Sequence, residues 1–200
     1  MITSPSEKDE IYLNNVEKIG SSPDNIQNIE DVLSKDEHAV LLDYVKTNKD
    51  WIHQPWDSKT IGVDHLPQNI LNILEKLSEI VHKKITDFYD VKINSFNRDN
   101  LVLIKFEKGL TLYPHIDTDS AESNHIASIY YINEDYLGGE ICFPDLKIYI
   151  KPKPNSLIFF PGNEHYLHEV RTILSGDRFS SSMWFQFTGS TFNKNSEWYG

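Results

Sequence analysis

His115 and Asp117 form a His-x-Asp triplet in LYPHIDTDS, His168 comes later in HYLHEV, and Arg178 follows ten positions on in SGDRFSSSMWF. Alternate residues of a strand share a face, so His115 and Asp117 can reach the same ion. The third ligand must come from elsewhere in the fold, and His168 is the best candidate. Two imidazoles and a carboxylate cover one face of a ferrous ion and leave the opposite face open. A guanidinium held nearby can fix the far carboxylate of a dicarboxylate through two parallel hydrogen bonds. These four residue types imply chemistry with O2 and a 2-oxo acid, not a structural metal site. A His-x-Asp triplet alone carries little weight, and the same ligand set also suits zinc.

The elements that must position these residues fall into two parts. Ser34, with Glu37 three residues on, is a capping-box start. Val40, Leu41, Tyr44 and Val45 then recur at helical spacing, and this first helix is expected to end near Asn48. KDWIHQPWDSKTIGVDHLP reads as a long connection holding two tryptophans. A second helix follows Pro67, a residue suited to a first turn. Its apolar stripe is Ile70, Leu74, Leu77, Val81, Ile85 and Phe88, the pattern of a helix packed on a sheet. From about Asn100 the chain turns to short runs rich in branched and aromatic residues: LVLIKFE, TLYPHID, HIASIYYIN, GEICFP, KIYIKP, NSLIFFP, HEV and RFSSSMWFQF. Gly138 and Gly139 read as a hairpin turn. Prolines 114, 144, 152, 154 and 161 fall at ends or edges of these runs, where a missing donor is tolerated. Helices first and many short strands afterwards give an α+β, mainly β fold: a two-sheet antiparallel jelly roll with supporting N-terminal helices. The expected layout is an N-terminal extension over 1–25 and a single domain over 26–200, with helices at about 35–90 and the jelly-roll core at about 100–188.

The region from about Leu101 to Phe187 resembles the double-stranded β-helix core of the Fe(II)/2-oxoglutarate dioxygenases, above all the prolyl 4-hydroxylase group. The matching pieces occur in order: PHID, IYYINEDYLGGEICFP, IKPKPNSLIFFP, LHEV and SGDRFSSSMWF. They cover a little under half of the chain. The resemblance implies that His115, Asp117 and His168 hold Fe(II). It implies that Arg178 pairs with the distal carboxylate of the cosubstrate 2-oxoglutarate, with Ser182 and Tyr131 as further contacts. Two departures stand out: the tyrosine often found three residues before the first ligand is Leu112 here, with Tyr113 displaced by one, and PNSL replaces a Lys-Gly-Asp turn. His165 is a rival for His168, Asp119 for Asp117, and Arg171 for Arg178, and the spacing favours His168, Asp117 and Arg178. Trp51 and Trp56 are read as core packing before substrate lid.

The activity so implied is hydroxylation of a C–H bond, coupled to decarboxylation of 2-oxoglutarate by O2, with ascorbate as a possible reductant of stray ferric iron. The substrate class favoured by the resemblance is a prolyl residue in a peptide or protein, ahead of a free amino acid or small metabolite. Substrate choice is expected in residues 49–66 and 117–125. A non-catalytic jelly-roll binding module is the rival of another class. A formal net charge of -11 repels phosphate backbones, which counts against nucleic acid as a partner. Nucleic-acid demethylases of the superfamily carry a second arginine six residues after the anchor, where this chain has Trp184. With one cysteine, Cys142, no internal disulfide can form. The polar start MITSPSEKDE lacks a signal-peptide core, and no run is long enough to span a bilayer. The expected location is cytoplasmic.

Overall fold

The structure is a computed structural model that describes residues 21–55, 58–94, 101–117 and 125–186. The expectations placed on residues 1–20, Trp56, Asp119, residues 118–124 and the end of the core beyond 186 lie outside the described residues.

The first helix, α1, spans Lys35–Thr47. The capping box is present: the Ser34 hydroxyl accepts from the Glu37 N–H at 3.3 Å, and the Glu37 carboxylate accepts from the Ser34 N–H at 3.2 Å. Two donors that a helix start leaves unpaired are thereby satisfied. Asn48 closes the helix through its N–H to the Tyr44 carbonyl. Leu41 and Val45 are buried, while Val40 sits off the buried face and is 43% exposed. The second helix, α2, spans Gln68–Tyr89, with Pro67 as its N-cap, one position ahead of the first turn. Ile70, Leu74, Leu77, Val81 and Ile85 are buried as their spacing requires. The stripe ends on Tyr89, four residues after Ile85, and not on Phe88, which is 43% exposed. At 3.6 residues per turn Phe88 lies on the line of Ile70, so the period does not choose Tyr89; Tyr89 is held inward by its hydroxyl's bond to the Asn25 carbonyl and by its ring against Phe159.

Thirteen strands follow the chain among the described residues. They are β1 (Gln27–Ile29), β2 (Ile52–His53), β3 (Lys59–Gly62), β4 (Val102–Phe106), β5 (Leu112–His115), β6 (His125–Tyr131), β7 (Leu137–Gly138), β8 (Ile141–Phe143), β9 (Ile148–Ile150), β10 (Ser156–Pro161), β11 (His168–Val170), β12 (Ile173–Ser175) and β13 (Arg178–Gln186). The major sheet has seven strands in the order β1-β10-β6-β13-β4-β3-β2, and the minor sheet four in the order β5-β11-β8-β9. A short β12-β7 ladder completes the set. Every pairing is antiparallel. This is the double-stranded β-helix with helices on one side.

Two features differ from the sequence reading. The segment around residues 52–62 holds a hairpin, β2 and β3, which extends the major sheet beyond β4. Gly138 and Gly139 do not make a tight hairpin turn. Gly138 pairs with Ile173 in β12, and the chain then moves over to pair β8 with β11. Both glycines have positive φ, and a Cβ on Gly138 would lie 2.0 Å from the Thr172 carbonyl oxygen. The crossing of two ladders in so little space requires glycine there.

Alternation along β13 divides its side chains between two cores. Phe179, Met183 and Phe185 join Tyr130, Leu157 and Phe159 in the cluster beneath α1 and α2. Arg178, Ser180 and Ser182 alternate with them and line the space between the sheets. That space is filled by Ala127, Tyr131, Ile141, Phe143, Ile158, Phe160 and Tyr166. Trp51 packs on the helix side, its ring 5.5 Å from that of Phe179, in keeping with a core role.

Candidate active site

The two histidines meet because their strands are neighbours. In the antiparallel pairing of β5 with β11, His115 and His168 are direct cross-strand partners, and their ring centroids are 4.2 Å apart. Asp117 lies two residues beyond His115, but β5 has ended at His115 and Asp117 sits in a bend. Its position comes from a backbone bond, Asp117 N–H to the Gly162 carbonyl at 3.1 Å, and not from strand alternation. Asp117 Oδ1 is 3.7 Å from His115 Nε2, and Asp117 Oδ2 is 3.6 Å from His168 Nε2. One donor atom from each of the three residues lies within 4.8 Å of the other two. Two atoms each bonded to one ion at about 2.1 Å are at most about 4.2 Å apart, so the two carboxylate separations are ones a single ion can bridge.

The ring tautomers are fixed by the backbone. His115 Nδ1 is 2.8 Å from the Tyr113 carbonyl, and His168 Nδ1 is 3.1 Å from the Tyr166 carbonyl. A carbonyl only accepts, so both Nδ1 atoms carry the proton and donate. Each Nε2 then presents its lone pair toward Asp117, the arrangement that orients imidazoles for a metal. His168 is 2% exposed, wedged against the rings of Phe160 and Phe143. Burial holds its pKa below the usual histidine range, and the attraction of Asp117 only partly offsets this. A neutral imidazole is the form that binds a metal.

Arg178 is 2% exposed. Its cross-strand partner in β4 is Phe106, and its guanidinium carbon lies 5.0 Å from the Phe106 ring centroid and 4.9 Å from that of Tyr131. The aromatic faces stabilise the cation. Even so, Nε and Nη1 are buried with no hydrogen-bond partner, and among the described residues no carboxylate pairs with the group. A buried charge without a partner is costly. It fits an anion that enters from outside the chain, and a carboxylate matches the guanidinium fork. Ser182 is on the same face, four residues along β13, and is 8% exposed. Tyr131 is fully buried beside the guanidinium, and its hydroxyl has no acceptor for its proton. Burial pushes its pKa up to about 12, so the phenol stays a neutral donor.

The rival residues are placed elsewhere. His165 is exposed, in a 3-10 turn over Glu164–Tyr166, outside the three-residue cluster. Arg171 is on the surface, paired with Glu169 at 3.1 Å and 6.0 Å over the Tyr149 ring. Sequence reasoning missed two residues of the anchor, Phe106 and Tyr136. Tyr136 is buried in a cluster with Phe106, Leu110, Val170 and Ile173, and its hydroxyl has no acceptor either. Its one signal in the sequence is its place just before the Gly-Gly pair.

Residues 101–186 match the family model described as the 2OG-Fe(II) oxygenase superfamily. The His-x-Asp, distal His and Arg of this chain all fall inside the match. The matched segment is similar to the core of that superfamily. Solved structures share the fold. A viral collagen prolyl hydroxylase from Paramecium Bursaria Chlorella virus-1, in its 2OG complex, is 24% identical, covering 82% of this chain and 96% of its own, with a TM-score of 0.61. A Pseudomonas putida prolyl-4-hydroxylase is 15% identical, covering 82% and 92%, with a TM-score of 0.67. A Trichoplax adhaerens prolyl hydroxylase, solved with a hypoxia inducible factor oxygen degradation domain peptide fragment, is 15% identical, covering 90% and 88%, with a TM-score of 0.66. No curated protein matches the sequence. The superfamily implies Fe(II) and 2-oxoglutarate, and the residues present fit both: a two-histidine, one-carboxylate set for the metal, and a buried guanidinium with no carboxylate partner among the described residues for the acid.

Gly139 supports the anchor from behind. A Cβ there would lie 2.5 Å from Ile173 Cδ1, 3.0 Å from Tyr136 Cε2 and 3.3 Å from Arg178 Cδ, at a φ of +70°. Gly139→Ala is therefore expected to displace the arginine stem and to weaken 2-oxoglutarate binding about tenfold or more, since a misplaced clamp loses much of its effect. Iron affinity should stay within about twofold of wild type. Calorimetric titration of each ligand checks both statements.

Proposed function

We propose that this chain is an Fe(II)- and 2-oxoglutarate-dependent dioxygenase that hydroxylates a C–H bond, and that its substrate is a prolyl residue in a peptide or protein. The observation that carries the reading is the buried Arg178, with no carboxylate partner among the described residues, stacked between Phe106 and Tyr131 in a fold that also gathers His115, Asp117 and His168. A metal cluster alone would serve a zinc hydrolase equally well. Metal-assisted hydrolysis does not by itself call for a desolvated guanidinium, and a binding module under no catalytic demand has no use for both.

In this reading His115, Asp117 and His168 hold Fe(II) on one face. Bound iron would supply O2 activation: O2 is the oxidant, one of its atoms entering succinate as 2-oxoglutarate loses CO2 and the other entering the hydroxyl on substrate carbon. The chain does the rest. Arg178, with Ser182 and Tyr131, holds the distal carboxylate and so sets where the 2-oxo end lies. Phe143, Phe160 and Tyr131 keep the surroundings dry, which strengthens each of these polar contacts. The backbone carbonyls of Tyr113 and Tyr166 keep both imidazoles in the ligating tautomer. Ascorbate would serve to return ferric iron to the ferrous state.

The prolyl substrate is supported by the three solved structures described above, each named as a prolyl hydroxylase. The same chemistry on a free amino acid or small metabolite is the second reading. No helix of the described residues is long and apolar enough to cross a membrane, and the single cysteine is in keeping with a cytoplasmic setting. The test is to incubate the protein with Fe(II), 2-oxoglutarate, ascorbate and proline-rich peptides, and to measure succinate and peptide mass together. Succinate with one oxygen added at proline is expected. Oxygen added only to free amino acids would transfer the lead to the second reading.

A further inference from the structure

The buried surroundings of Arg178 hold one phenol more than the resemblance assigns. The Tyr136 side chain is buried; its hydroxyl lies near enough to Arg178 to receive an N–H, but it is shielded from solvent without an acceptor for its own proton. So are the Tyr131 hydroxyl and two nitrogens of Arg178. Three side chains with unsatisfied polar atoms in one buried place are rare, because each such group costs stability unless a partner arrives.

Independent geometry places Tyr136 at the guanidinium. A single Cβ built on Gly139 would touch both Tyr136 Cε2, at 3.0 Å, and Arg178 Cδ, at 3.3 Å. The hydroxyl-bearing edge of the ring and the stem of the arginine therefore meet over the same glycine. Tyr136 is also pinned from its backbone: a Cβ on Gly176 would lie 3.0 Å from Tyr136 Cα and 2.6 Å from the Asp135 carbonyl oxygen. The charge of Arg178 bears on both phenols. Burial raises the pKa of Tyr136, as it does that of Tyr131, so both remain O–H donors.

Hydrogen-bond capacity gives the reason for two phenols. A carboxylate offers about four acceptor positions. A bidentate guanidinium fills two of them. The remaining positions need donors, and the two phenols, unlike the Ser182 hydroxyl, are buried hydroxyls left without an acceptor, so they have the stronger claim on them. We propose that Tyr136 donates a hydrogen bond to the distal carboxylate of 2-oxoglutarate, as a cosubstrate-binding residue alongside Arg178 and Tyr131. This rests on the 2-oxoglutarate reading of the site and names an additional residue in it. The position selects for a dicarboxylic 2-oxo acid, since a cosubstrate with an apolar tail would leave two phenols and a guanidinium unpaired.

The experiment uses the full chain loaded with Mn(II) in place of iron, so that binding is read without turnover. Tyr136→Phe deletes one oxygen and keeps the ring. Its 2-oxoglutarate dissociation constant by calorimetry should rise about 10- to 100-fold, the loss expected for a hydrogen bond to a charged group. Mn(II) affinity should be unchanged. The melting temperature without 2-oxoglutarate should equal or exceed that of wild type, because a buried hydroxyl with no acceptor for its proton contributes nothing to the unliganded fold. A dissociation constant within twofold of wild type overturns the proposal. So does a fall in the unliganded melting temperature with a parallel loss of Mn(II) affinity, which would mark Tyr136 as structural. Arg178→Met separates the two layers. If Arg178→Met loses 2-oxoglutarate binding and Tyr136→Phe does not, only the role of Tyr136 fails. If wild type itself does not bind 2-oxoglutarate, the underlying reading fails and this one with it.

Discussion

Replacing His168 with alanine is expected to lower Fe(II) affinity by more than about 100-fold and to abolish succinate formation, while His165→Ala leaves both at wild-type level. Loss of an outer-shell partner of a metal ligand already costs 10- to 100-fold, and His168 is placed to bind the ion directly. It is the most buried of the three ligand candidates, its ring fixed by the Tyr166 carbonyl and by Phe143 and Phe160. The remaining pair, His115 and Asp117, offers two donors, too few to hold ferrous iron against water. His165 lies three residues away but is exposed and outside the cluster. The decisive measurement is iron content after anaerobic loading and desalting of each variant, with folding checked by circular dichroism. Full iron occupancy in His168→Ala, with loss in His165→Ala, would show that the distal ligand has been misassigned.

Arg178→Met carries the second large effect, of a different kind. The 2-oxoglutarate dissociation constant should rise at least about 30-fold, the lower end of what losing one partner of a buried charge pair costs, roughly 2–5 kcal/mol. Iron affinity should not change, because the guanidinium is not among the donor atoms. The unliganded protein should be no less stable, since the substitution removes a buried charge with no carboxylate partner among the described residues and keeps an apolar stem between Phe106 and Tyr131. Calorimetry and thermal melting read the two effects separately. A large drop in melting temperature with unchanged 2-oxoglutarate affinity would make Arg178 a structural residue.

The helices were legible because their signals are local. Ser34 and Glu37 fix a start, Asn48 a stop, and the period from Ile70 to Ile85 a buried face. Phe88 was assigned to that face because an aromatic at i+3 satisfies the pattern on paper. Tyr89 at i+4 completes it in the fold, and Phe88 instead rests its ring edge-on against Tyr89 and Phe159. The β2-β3 hairpin was not legible. Ile52-His53 and Lys59–Gly62 have no clear alternation, and they are strands only because β4 offers them an open edge. Strand order was beyond reach for the same reason: β10 pairs with β1 and β6, and β13 with β4 and β6, partners far apart in sequence.

The site divides in the same way. The four chemical residues could be picked out by type and ordered spacing, and the cross-strand pairing of His115 with His168 brings two of them together. The reason given for Asp117 was incomplete, since a backbone bond to Gly162 and not strand alternation places it. Tyr136 carried no pattern at all. Its place depends on two glycines, Gly139 and Gly176, that let chain segments approach closely, and close approach leaves no period in a sequence.

The central claim is that one pocket binds ferrous iron through His115, Asp117 and His168 and 2-oxoglutarate through Arg178. The most direct measurement is an anaerobic titration of the Fe(II)-loaded protein with 2-oxoglutarate, followed by visible absorption. A charge-transfer band that saturates at one equivalent, is absent in His168→Ala and requires far more 2-oxoglutarate in Arg178→Met is the expected result. A wild-type protein that binds iron yet shows no band at any 2-oxoglutarate concentration, or whose band is indifferent to Arg178→Met, would contradict it.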